Sequence, residues 1–267
     1  MLPFVKMHGL GNDYLYVYGT PYANAADLSR KLSDRHFGIG SDGMIWITPP
    51  TDPKTADFGM RIFNADGSEA AMCGNGIRCV GKYVYDRRLS DKTTLTIETK
   101  AGLRTLTLHP DENRTVTAVT VDMGIAVTEQ PRTLSVDAAT LIAVPVSVGN
   151  PHAVVFTDDA DGFPMQLLAA VSTHSSFAGG VNAECAAMMP NGDIRMRVCE
   201  RGSGITLACG TGACAVCAAA VARGLIPADK PITVHLDGGD LTVAVREDGH
   251  VFMTGEAVTV CEGSAVI

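Results

Sequence analysis

Residues 72–79, "MCGNGIRC", and residues 208–215, "ACGTGACA", carry the same arrangement: a cysteine, then Gly-X-Gly, then small and apolar residues. Each run after the glycines reads as a helix, so Cys73 and Cys209 each fall at a helix N-terminus. There, unsatisfied backbone N–H groups and the positive end of the helix dipole converge. That setting favours a thiolate, and the neighbouring N–H groups can hold an anion such as a carboxylate. Either motif alone is equally well a tight strand-to-helix turn whose cysteine only packs. Together they allow one thiol on each face of a single carbon, one removing a proton as thiolate and the other returning one as thiol. This is general acid–base inversion of a stereocentre. It needs no cofactor, and the chain carries no dinucleotide or phosphate-loop glycine fingerprint.

The surroundings of the two motifs repeat as well. "MRIFN" (60–64) and "MRVCE" (196–200) stand at the same distance before Cys73 and Cys209. "GLGNDYLYV" resembles "SVGNPHAVVF", pairing Asn12 with Asn150 and Tyr14 with His152. After the helices, "TLTIETKAGLRTLTL" matches "PITVHLDGGDLTVAV"; both alternate as half-buried strands and turn at "AG" and "GG". Several matches in one order imply two structurally similar halves. The expected division is residues 1–116, carrying Cys73, and 117–267, carrying Cys209, with the last strand free to cross back to the first half. The fold class is α+β, each half a mixed β-sheet wrapped around a central helix, with the active site expected in the cleft between them.

Other segments are assigned individually. "NAADLSRKLSDRHFG" predicts an amphipathic helix capped by Asn24 and ended by Gly38. "TPPTDPKTAD" is an exposed loop. Residues 128–140 show no clear period and read as a linker or irregular crossing.

Composition removes several function classes. The 267 residues include 29 acidic and 21 basic side chains, a net charge of −8. No Lys/Arg cluster is present to bind phosphates, which argues against nucleic acid. The N-terminus lacks the apolar core of a signal peptide, and no stretch reaches the ~18 apolar residues of a spanning helix. The expected compartment is the cytoplasm, where the eight cysteines stay mostly reduced. Cys214 and Cys217 have CxxC spacing but lie in an Ala-rich helix, and no second ligand pair accompanies them. They, with Cys185 and Cys261, are expected to be small buried hydrophobes, and no metal site is expected.

With these residues in view, the chain resembles the diaminopimelate epimerases, cofactor-independent isomerases of lysine and peptidoglycan-precursor biosynthesis. The resemblance runs through "KMHGLGNDYLYV", "DRHFGIGSDG", "RIFNADGSEAAMCGNGIRCVGKYV", "VSVGNPHAVVF", "GVNAE", "RVCERGSGITLACGTGACA" and "GGDL". It implies that Cys73 and Cys209 are the acid/base pair that interconverts LL- and meso-2,6-diaminopimelate. Gly74 and Asn75, with Gly210 and Thr211, would bind the α-carboxylate through backbone N–H groups. His152 and Glu200 would assist near the reacting ammonium and thiols. Asn12, Asn64, Asn150, Asn182, Glu200 and Arg201 match the positions that bind substrate, the asparagines and Arg201 at its distal end.

Each position also has a plainer use. Asn12 and Asn150 suit Gly-Asn turns, Asn64 could cap "NADG", His152 could be a satisfied core histidine, and Glu200 and Arg201 could be an exposed charged pair. The chain departs from the family at Ile205 (usually Glu), Glu256 (usually Pro) and Gly180 (usually Arg). A small amino-acid substrate is expected; nucleic acid and membrane are not, and a homodimer is left open. The nearest rival is a racemase of another amino acid such as histidine on the same fold. Proline racemases carry His where this chain has Asn75. A ligand-binding descendant would not need both thiols, and a redox dithiol would place them in one CxxC.

Overall fold

Residues 13–17 and 44–47 are buried at every position, the pattern of strands covered on both faces rather than one. The computed structural model describes residues 1–267 and divides them into two units, Met1–Val121 with Gly255–Ile267, and Asp122–Thr254. In chain order the elements begin with β1 (Leu2–Gly9), β2 (Asn12–Tyr18), α1 (Ala25–Ser33), β3 (Gly43–Thr48), β4 (Phe58–Asn64) and β5 (Glu69–Ala70). α2 (Gly74–Asp86), β6 (Thr94–Thr99), β7 (Gly102–Pro110) and β8 (Val116–Ile125) follow. Next come β9 (Val127–Thr128), β10 (Arg132–Val136), β11 (Ala139–Ser147), β12 (Pro151–Phe156), α3 (Met165–Ser172) and β13 (Asn182–Met188). The chain continues through β14 (Ile194–Glu200), β15 (Gly204–Thr206), α4 (Gly210–Ala222), β16 (Ile232–Leu236), β17 (Gly239–Val245), β18 (His250–Glu256) and β19 (Val258–Ala265).

The first unit orders its strands β19-β1-β2-β3-β4-β6-β7-β8, with β2/β3 and β4/β6 parallel and the other neighbours antiparallel. The second runs β10-β11-β12-β13-β14-β16-β17-β18, with β12/β13 and β14/β16 parallel. The sequences of pairings are identical, and β5 and β15 are equivalent short additions to β4 and β14. Parallel neighbours need a crossover. The helices supply it: α1 and α2 in the first unit, α3 and α4 in the second.

Side-chain alternation along β2 and β3 divides the two helices between the faces. Leu15, Val17, Met44 and Trp46 pack with Leu28 and Leu32 of α1. On the other face the Ile45 side chain abuts Gly76, and the Tyr16 hydroxyl donates to the Gly76 carbonyl of α2. α2 packs on β1, β2 and β7, and α4 on β9, β11, β12, β13 and β17. Only Tyr83 and Asp86 of α2, and Thr211, Val221 and Ala222 of α4, escape full burial. A helix enclosed this way needs small or apolar residues all round, which is why α4 reads "GTGACAVCAAAVA".

Several local expectations change. α1 ends at Ser33, well before Gly38, because Asp34 leaves the helix and its Oδ1 accepts from the N–H groups of His36 and Phe37. Asn24 precedes the helix without a side-chain cap. Residues 128–140 are not a linker: β10 and β11 pair as a hairpin, turning beside Asp137 at φ 51°. Five residues with two inward side chains, Leu134 and Val136, are too few to show a period. β8 pairs with β7 through Val121, so the first unit extends past residue 116. β19 pairs with β1 and belongs to that unit too. Cys185, Cys214 and Cys217 are buried, but Cys261 lies exposed on β19.

Leu134 tests the hairpin assignment, since it is fully buried against the α3 layer. Leu134→Ala should lower unfolding free energy by about 2–5 kcal/mol in chemical denaturation, the usual cost of such a truncation. A residue in a surface linker would change it by about 0.5 kcal/mol or less.

Candidate active site

In both units the cysteine is the N-cap of the central helix, in extended backbone geometry. The helical ladder begins when Ile77 N–H reaches the Cys73 carbonyl and Ala213 N–H reaches that of Cys209. The N–H groups of Gly74, Asn75, Gly210 and Thr211 therefore stand outside the ladder, at the positive end of a buried helix. The expected anion-binding residues are in this way gathered beside their thiols. Asn75 is buried, and its side-chain Oδ1 has no hydrogen-bond partner.

Around Cys73, the thiol donates to Asn12 Oδ1 at 3.3 Å, and the Gly76 N–H donates to its sulfur at 3.3 Å. Asn12 is itself fixed, because Nδ2 donates to Asp42 Oδ2 at 2.8 Å. Asp42 also accepts from Asp13 N–H and pairs with Arg35, which bridges on to Asp13. Asn12 thus serves more than a turn. Burial, with the Cys73 sulfur beside it, raises the Tyr14 phenol well above its ordinary range.

Cys209 sits in a different electrostatic setting. Burial raises its thiol well above the ordinary value, and the carboxylates of Glu200 and Glu184 push in the same direction. Thr211 and the Gly212 N–H oppose them without prevailing. The expectation that a helix N-terminus yields a thiolate therefore fails at Cys209. Desolvation and two carboxylates outweigh the helix dipole.

The other expected residues divide by what they touch. His152 is buried; its Nδ1 lies 2.7 Å from Glu184 Oε1 and its Nε2 3.1 Å from Asn150 Oδ1. Asn150 Nδ2 donates to Thr211 Oγ1 at 3.3 Å, and Thr211 Oγ1 lies 3.5 Å from the Cys209 sulfur. Glu200 accepts from the Thr206 hydroxyl at 2.6 Å across the β14–β15 hairpin and forms no ion pair with Arg201. The Arg201 N–H donates to Asn182 Oδ1, and its guanidinium to the Gly179 and Gly180 carbonyls. Gly180, at φ +75°, leaves room for this side chain, since a Cβ there would lie 3.2 Å from Arg201 Cδ. Asn64 is tied to its own turn, donating from Nδ2 to Ser68 Oγ. Ile205 is exposed on β15, and the Glu256 carbonyl accepts from buried Arg78.

Sequence reasoning misses Glu184, Asp42 and Thr206. Glu184 leaves a signal, an acid inside the otherwise apolar strand "NAECAAM". Asp42 and Thr206 leave none, because their roles depend on which strands become neighbours.

The fold is shared with a set of solved isomerase and phenazine-biosynthesis structures. A hydroxyproline epimerase from Agrobacterium vitis, 18% identical, superposes with a TM-score of 0.75 over 98% of this chain and 91% of that one. A Bacillus anthracis phenazine biosynthesis protein of the PhzF family, 16% identical, reaches 0.78 over 100% and 99%. A diaminopimelate epimerase sequence profile matches residues 4–129 and 144–260. The diaminopimelate epimerase of Methanococcus maripaludis is 46% identical over 98% of this chain and 99% of its own length. That of Bacillus licheniformis is 43% identical over 99% and 98%. The chain belongs to the diaminopimelate epimerase family. No helix is long and apolar enough to cross a membrane.

The raised thiol of Cys209 gives a pH signature. Because it holds its proton beyond the ordinary 9.0, thiolate forms only as pH rises further. Alkylation of Cys209 by iodoacetamide, followed by peptide mass spectrometry, should therefore be slow at pH 7 and still climbing above pH 9. Only the thiolate reacts, so at neutral pH its rate should lie below that of a free thiol. Fast labelling that levels off below pH 8 would contradict the assignment.

Proposed function

We propose that this protein interconverts LL- and meso-2,6-diaminopimelate, in lysine and peptidoglycan-precursor biosynthesis, with Cys73 and Cys209 as the two acid/base groups. The observation that carries this reading is a cysteine at the N-cap position of a buried helix in each of two equivalent units, in a chain of this family. One thiolate removes the α-proton, the other thiol protonates the opposite face, and their roles exchange in the reverse direction. No cofactor takes part. The reaction is placed in the cytoplasm, where paired thiols stay reduced.

The remaining residues support that step. The N–H groups of Gly74, Asn75, Gly210 and Thr211 would hold the α-carboxylate, and this neutralisation eases loss of the α-proton. Glu200 would face the α-ammonium, and His152 would assist from behind Asn150, to which its Nε2 is bonded. Asn12, Asn64, Asn150, Asn182 and Arg201 would hold the distal amino-acid end. Arg201 suits its carboxylate, since the guanidinium is already steered by two backbone carbonyls.

Heavy water tests the mechanism. A delivering thiol carries a solvent proton, so early product should contain deuterium at the inverted carbon while recovered substrate stays largely protiated, from either epimer. Cys73→Ala and Cys209→Ala should each abolish epimerisation in both directions. Early product that keeps its original hydrogen would refute the two-thiol step.

A substrate panel tests specificity. Lysine lacks the distal carboxylate and leaves Arg201 unmatched, so its kcat/KM should fall by roughly 10⁴ or more relative to diaminopimelate. Comparable turnover of lysine or histidine would instead make this a broader racemase.

A further inference from the structure

The two half-sites share a backbone but differ beneath the helix. Gly76 and Gly212 are the equivalent glycines of the two Cys-Gly-X-Gly motifs, and each is pressed by a side chain from the strand below. At Gly76 a Cβ would meet Ile45 Cδ1 at 2.6 Å; at Gly212 it would meet Glu184 Oε1 at 2.7 Å. The strand pairings agree, since Tyr16 pairs with Ile45 in the first unit and Val154 with Glu184 in the second. Tyr14 and His152 then occupy equivalent positions two residues earlier. Where the Cys73 half-site has isoleucine and tyrosine, the Cys209 half-site has a buried carboxyl–imidazole pair.

The hydrogen bonds of that pair have a direction. Asn150 Nδ2 donates to Thr211, so its Oδ1 faces His152 and the imidazole Nε2 must carry a proton. His152 Nδ1 faces a carboxyl oxygen at 2.7 Å, so a proton lies between them as well. Both side chains are 0% exposed, and Glu184 Oε2 has no partner, so this bond is the only one that the Glu184 side chain makes. Because Thr211 accepts from Asn150, its hydroxyl hydrogen is not spent on that contact and can be offered to the Cys209 sulfur at 3.5 Å. In the first unit Asn12 meets Cys73 directly, and no such chain is needed.

We infer that Glu184 is a positioning residue for Cys209: by holding His152 Nδ1 it fixes Nε2–H on Asn150, and through Asn150 turns the Thr211 hydroxyl toward the sulfur. The effect is a hydrogen bond offered to Cys209 when it acts as the base. This extends the two-thiol reading above and rests on it for its consequence in turnover. The hydrogen-bond order itself does not depend on the substrate.

Measurements on the whole chain test it. In the unliganded wild type, nitrogen–proton NMR of labelled histidine at pH 7 should show one-bond coupling at His152 Nε2; an Nε2 without a proton overturns the inference, whatever the variants do. Glu184→Leu, which keeps the branched shape but offers Nδ1 no partner, should lower kcat by about 10- to 100-fold, the scale of losing one strong buried hydrogen bond. KM should change far less. Glu184→Gln, whose amide can donate to Nδ1, should recover most of the loss.

In a double-mutant cycle, adding Thr211→Val to Glu184→Leu should cost no more than the larger single change, because both act on one sulfur through one chain. Additive losses, or a Glu184→Leu enzyme with wild-type kcat, overturn the inference. If the wild type fails to epimerise diaminopimelate, the proposed function falls instead, and the NMR result still decides the hydrogen-bond order.

Discussion

Each unit is organised around a helix that begins with a thiol and has almost no surface of its own. Burying such a helix commits the strands to wrap it and leaves the N–H groups of its first turn in a low-dielectric setting. There their partial charges act at far greater strength than in water. The glycines at Gly76 and Gly212 let side chains of the sheet approach closely, since a single extra carbon would collide with Ile45 at the first and Glu184 at the second. Anion binding and a caged sulfur thus arise from one packing decision, made twice.

Equivalent backbones have not produced equivalent chemistry. Cys73 is partly exposed and meets the Asn12 side chain directly, itself clamped by Asp42 and the Arg35 bridge. Cys209 is enclosed, flanked by Glu184 and Glu200, and connected to its asparagine only through Thr211. A catalyst that exchanges acid and base between two sulfurs needs one of them protonated at rest. Burial and neighbouring carboxylates favour that state at Cys209.

Much of this is legible in the residues alone, and the reasons are local. The duplicated Cys-Gly-X-Gly motifs, the small-residue run of α4 and the alternating hairpins β6–β7 and β16–β17 all follow from patterns within a few residues. α1 looks longer in sequence than it is because Asp34, a single side chain gathering two N–H groups, stops a helix whose polarity pattern continues. β10 escapes notice because five residues carry too little periodicity. At the site the thiols and most asparagines are legible, but Glu184 and Asp42 acquire meaning only when β13 lies beside β12 and the loop before β3 lies beside Asn12. The direction in which the Cys209 thiol moves is likewise invisible, since it depends on how much water the fold removes.

The pairing of β1 with β19 ties Leu2 to Ala265, and the second unit is spelled out between the segments of the first. During synthesis the second unit can be completed while the first still lacks an edge strand. Until β19 has been made, β1 presents unpaired backbone N–H and C=O groups along one side, a template for association with other chains. Residues far apart in sequence must also find one another, so closing this edge carries a loop-entropy cost that local hairpins avoid. β1 is therefore the strand that waits longest for its partner.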